Sequence, residues 1–130
     1  MTDSISPVSS AAPVSPEQAS RFLSQASMGA SRAQIARVQA LGYAGWLDEQ
    51  FAMPPSPTRW DRLVEAGFAT PAFKKGERGA DDAIWRKLLA SDDTLRQRVT
   101  LALSEILVTS VSGLKSGWKY FTAASSLDLL

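Results

Sequence analysis

The 130-residue sequence contains no cysteine and no histidine. The first absence excludes disulfides, thiolate metal ligands and a cysteine nucleophile. The second removes Ser-His-Asp and Cys-His catalysis, the usual zinc sites and the commonest general base near neutral pH. No excess of one charge is present either: fourteen Lys and Arg face thirteen Asp and Glu, a formal net charge of +1. Such a balance creates no global field for nucleic acid or an anionic membrane. No apolar run approaches the roughly 18 residues that a membrane span requires. The first residues lack the basic and apolar regions of a signal peptide. What remains is 45% hydrophobic and 21% charged residues, the composition of a globular chain rather than a disordered one.

Without strand alternation, internal repeats or a sustained heptad array, the class is all-α. The organising stretch is Ser91 to Ser110, SDDTLRQRVTLALSEILVTS. Leu95, Val99, Ala102 and Ile106 share one helical stripe, widened by Leu103 and Leu107, so the period predicts a core-facing helix. Ser91 reads as its N-cap, and Asp92 and Asp93 follow in the first turn. Leu101 and Val108 lie on a separate face, giving the helix a second apolar surface. Arg98 and Glu105, two turns apart on the flank, read either as solvated edge charges or as part of a buried polar network.

Residues 1–14 are rich in Ser, Ala and Pro and read as a disordered tail before a helical domain over residues 15–130. Ser15, Pro16 and Gln18 predict a capped helix through about Ala26, with Phe22, Leu23, Ala19 and Ala26 inward. Ser31 and Gln34 open a second helix carrying Ile35, Val38 and Leu41 and ending at Gly42. A third follows over Tyr43 to Phe51, with Tyr43, Trp46, Leu47 and Phe51 on one face. Pro54, Pro55 and Pro57 force an extended connection. Beyond it, a short helix from Arg59 to Ala66 presents Trp60, Leu63 and Val64 inward. Residues 69–80 read as a polar loop. A helix capped by Asp81 or Asp82 carries Ile84, Trp85, Leu88 and Leu89 inward, and the last helix starts near Trp118. The expected architecture is a compact multi-helix bundle of about six to seven short helices.

No motif for chemistry stands out. Asp81-Asp82 and Asp92-Asp93 read as helix-start carboxylates before they read as cation ligands. The four tryptophans read as core before they read as a stacking platform. Lys74, Lys75 and Arg78 read as a solvated loop, and Arg96 with Arg98 makes a poor helix-turn-helix reader in a near-neutral chain. No catalytic, cofactor-binding or metal residue is assigned.

Three stretches, RFLSQASMG (residues 21–29), LGYAGWLDEQF (41–51) and LRQRVTLALSEILVTS (95–110), resemble in content, order and spacing the N-terminal part of a large bacterial family, domain of unknown function 1800. Met28 and Leu107 stand where such proteins often carry Phe. SSLDLL (125–130) is similar to the family's YYDLL-type segment with serines replacing the aromatics. The resemblance implies an N-terminal portion of a protein several hundred residues long, and no established reaction. By genetic neighbourhood it implies a hydrolase-like partner and an envelope location, whereas the lack of a signal peptide favours the cytoplasm.

The function expected from these readings is a non-catalytic helical module that packs on the remainder of a larger chain or on a protein partner. Its surface is expected to include Leu101, Val108, Leu127 and Leu130, and neither nucleic acid nor a cofactor is expected. The alternative is a helical lid of an enzyme whose catalytic residues lie beyond Leu130.

Overall fold

Ser15 opens helix α1 (Pro16–Ala26) through the predicted reciprocal cap. Its hydroxyl accepts from Gln18 N at 3.3 Å, and its own N–H donates to Gln18 Oε1 at 2.9 Å. The computed structural model describes residues 13–108 and 110–130. Most of the expected tail, residues 1–12, and Thr109 of the organising stretch therefore lie outside the described residues. The described residues contain six α-helices and three short 3-10 turns, and no strands.

Ser31 starts α2 (Arg32–Ala52), accepting from Gln34 N at 3.2 Å. The predicted boundary at Gly42 is present as a sharp break, with φ 70° and ψ 175° inside an otherwise helical run. A side chain is disfavoured at such a φ, which glycine adopts freely. The break lets both arms of α2 close on α1: Ala19, Leu23, Val38 and Trp46 are buried together, with Phe22, Ile35, Leu47, Leu95 and Val14 packed around them. Phe22 lies 4.8 Å from the Tyr43 ring and meets Trp46 edge-on at 5.3 Å. An Arg37–Glu49 ion pair at 2.8 Å straddles the break on the exposed side.

After the proline connection comes α3 (Arg59–Glu65), capped reciprocally by Thr58 and Asp61. A 3-10 turn at Pro71–Phe73 leads to α4 (Ala80–Ala90), then α5 (Thr94–Ile106), a 3-10 turn at Val111–Gly113, α6 (Lys119–Ser126) and a final turn at Leu127–Leu129. Leu63, Ala80, Ala83, Phe121 and Ala124 form a second core, drawn from α3, α4 and α6. Trp60 and Trp118 meet Phe121 edge-on at 5.6 and 5.1 Å. Helix α4 begins on Gly79 at φ 88°, where a Cβ would stand 2.5 Å from the Phe68 ring. Asp81 and Asp82 thus occupy its first turn rather than its cap.

Helix α5 lies between the two cores and touches α1, α2, α4 and the last turn. It is shorter than the sequence predicts, and Ser91 ends α4 instead of opening α5. The position before its first turn is Asp93, whose side chain makes no cap bond. Gln50, on α2, supplies that function: its Oε1 accepts from Leu95 N at 3.2 Å and from Thr94 Oγ1 at 3.3 Å.

The register of three helices departs from the apolar pattern. On α3, Leu63 is buried as expected, but Trp60 and Val64 are exposed while Arg59 is buried. On α4, Ala80, Ala83, Lys87 and Leu88 face inward, whereas Trp85 and Leu89 face out. On α5 the inversion is nearly complete.

Candidate interaction face

The buried residues of α5 are Gln97 and Thr100, together with Asp93 just before it. The stripe predicted to face the core points away. Val99 is 45% exposed and Ile106 75%, and Ala102 is exposed too. Only Leu95, at the helix start, reaches an apolar core, that of α1 and α2. Leu107 and Val108 continue the exposed surface at 56% and 77%.

A continuous polar seam holds the helix in this orientation. The Asp128 carboxylate accepts at 2.8 Å from Arg59 N on one oxygen. Its other oxygen accepts at 2.8 Å from both Arg59 Nη1 and Lys87 Nζ. Arg59 Nη2 donates to Gln97 Oε1 at 3.3 Å, and Gln97 Nε2 in turn donates to the Asp93 carboxylate. Asp93 also accepts from Ser56 Oγ at 2.8 Å and Ser56 N at 3.2 Å, and pairs with Arg96 at 3.4 Å. The chain thus runs from α4 through the C-terminal turn, α3 and α5 to the proline connection. Arg59 and Gln97 are each only 1% exposed. Groups so placed are retained only when hydrogen-bonded, since an unpaired buried charge is strongly unfavourable. Turning α5 to bury Ile106 would strand Gln97 and Asp93, so the seam fixes which face is outward.

Beside the stripe, an open groove of about 320 Å³ is lined by Leu47, Phe51, Leu95, Val99 and Leu130, with Gln50 and Arg96 at its edge. Phe51, expected on the inner face of its helix, is 73% exposed here. The apolar surface therefore runs from the end of α2 across α5.

Of the residues expected to form an interaction surface, Val108 is exposed and Leu101, Leu127 and Leu130 are half-buried. Leu130 lines the groove and also an adjoining cavity, which Leu127 and Asp128 line as well. Arg98 and Glu105 form no ion pair with each other among the described residues. Instead Arg98 Nε donates to Gln25 O at 3.2 Å and Glu105 is exposed. Arg96 likewise donates to a backbone oxygen, that of Met53, at 3.2 Å. Periodicity of apolar residues missed Arg59, Lys87, Gln97 and Asp128. One signal was present: Asp93, Gln97, Thr100 and Ser104 repeat at helical spacing as a stripe of short polar groups without a Lys, Arg or Glu, an unusual face for solvent.

No group of three or more Asp or Glu residues that could hold a metal ion occurs among the described residues, and no described helix is long and apolar enough to cross a membrane. The fold defines an all-α protein with an outward apolar helix face and no catalytic constellation assigned. The family described as protein of unknown function (DUF1800) matches residues 21–129, and the chain belongs to that family. No curated protein matches, and no solved structure matches.

Proposed function

We propose that this chain is a non-catalytic helical docking module of a larger bacterial protein, and that an amphipathic helix from the remainder of that protein covers the α5 face. The observation that supports this reading is the inversion of α5, whose stripe Leu95, Val99, Ala102 and Ile106 faces outward over most of its length. The intervals of four, three and four residues are those of a seam that a second helix fills with interlocking side chains. Ala102 at its middle allows close approach, and the groove beside Phe51 extends the contact. Burying one large aliphatic side chain fully contributes roughly 1.5–3 kcal/mol, so covering Ile106, Leu107 and Val108 provides a substantial driving force.

The test is light scattering of the 130-residue chain over a wide concentration range, alone and with the double substitution Val99→Lys and Ile106→Lys. The uncovered face should make the native chain associate as concentration rises, and the two lysines should abolish this without lowering the melting temperature. A native chain that stays monomeric throughout would sink the proposal.

A further inference from the structure

The polar seam borders an open cavity of about 630 Å³, between the proline connection, α4, α5 and the C-terminal turn. Lys87, Arg59, Gln97 and Asp128 line it, with Thr100 and Arg96 nearer the α5 side. Donors and acceptors here do not balance. The Lys87 ammonium has three N–H donors and makes one hydrogen bond, to Asp128. Arg59 bonds through its backbone N, Nη1 and Nη2, but its buried Nε has no partner. Asp128, by contrast, already accepts three bonds. Asp93 is filled by Ser56, Gln97 and Arg96. Asp61, on the exposed rim of the wall, takes the Thr58 hydroxyl and N–H on one oxygen and presents the other to solvent. Among the buried groups of the lining, unspent capacity is therefore on the donor side, at Arg59 Nε and on a lysine whose side chain is only 6% exposed.

We infer that this cavity binds a small organic oxyanion, a carboxylate or a phosphate monoester, through the free N–H groups of Lys87, with Arg59 behind it. An ammonium acts as a compact point charge and accepts either anion without a fixed fork geometry. Its partial desolvation strengthens the attraction relative to a surface lysine. The walls provided by Pro55, Pro57 and Leu127 accommodate the ligand's uncharged part. This site adjoins the α5 groove at Arg96 and Leu130 and differs from it in ligand: the cavity takes a small charged molecule, the α5 face a helix.

The experiment is a ³¹P NMR titration of inorganic phosphate with the 130-residue chain, at constant ionic strength maintained with chloride. Saturable broadening of the phosphate line is expected. Lys87→Met, confirmed as folded by circular dichroism, should weaken it at least tenfold, and Arg37→Gln, a change in an exposed ion pair, should leave it unaltered. Adding acetate separates the two ligand classes: strong competition assigns a carboxylate, and weak competition assigns a phosphate monoester. The native titration alone overturns the inference if the line stays sharp in both phosphate and phosphate-acetate mixtures and acetate fails to raise the melting temperature above that in chloride. Equal broadening by folded Lys87→Met and native protein would overturn it as well.

Discussion

The α1–α2 unit and helix α5 both carry apolar stripes and treat them oppositely. In the first, Leu23, Val38 and Trp46 face inward and charged residues such as Arg37 and Glu49 face water. In the second, Gln97 and Thr100 are buried and Ile106 is exposed. A stripe identifies the apolar side of a helix; it does not identify what packs on that side. The position of α5 is set instead by a few buried polar and charged groups, with the apolar side exposed among the described residues.

Breaking the polar seam is the severest test of that contrast. Asp128→Ala leaves Arg59 and Lys87 without their shared carboxylate, and loss of one partner of a buried pair costs about 3–5 kcal/mol. Urea unfolding should show a loss in this range; a change below about 1 kcal/mol would mean that the seam does not hold α5. Next in size, Leu23→Ala removes a side chain with no exposure and should cost about 2–5 kcal/mol. Ile106→Ala, a comparable truncation on the inverted helix, should stay within about 0.5 kcal/mol for the chain alone. Equal losses at the two sites would erase the distinction between the regions.

Smaller effects sharpen it. Ser15→Ala removes the hydroxyl half of the α1 cap and should lower stability by about 1 kcal/mol, measurable as a fall in melting temperature. The smallest is a dependence on acid. The Thr58 hydroxyl and N–H hold the Asp61 carboxyl below its ordinary range, and Arg37 does the same for Glu49. Since the folded values are depressed, their contribution is complete above the ordinary carboxylate range and fades as pH falls through the depressed values. Asp61→Asn should flatten part of that slope in melts recorded at descending pH.

Much of the helical outline was legible because capping chemistry is local. Ser15 with Gln18, the stop at Gly42 and the Pro54–Pro57 interruption each act within a few residues, and each appears where expected. Orientation was less legible. The burial of Arg59 depends on Asp128, 69 residues away, and that of Gln97 depends on Arg59, 38 residues away. Neither partner can be inferred from spacing along the chain. On α3 the apolar period marks Trp60, Leu63 and Val64 as inward, and only Leu63 is buried. For the candidate site, the stripe on α5 was visible in full while its direction was not.

The hydrogen bonds from Leu95 and Thr94 to Gln50 carry a further consequence for how the molecule assembles. A helix that draws its opening acceptor from a side chain 45 residues upstream has a start that is not encoded in its own peptide. Excised as residues 91–108, it would lack that acceptor and be weakly helical in water, since a segment of this length is marginal even with favourable residues. Within the whole chain, Leu95 N and the Thr94 hydroxyl are satisfied by the second arm of α2. One glutamine thereby ties the two units together: the helix with the outward apolar face holds its opening bonds only while the second arm of α2 is in place.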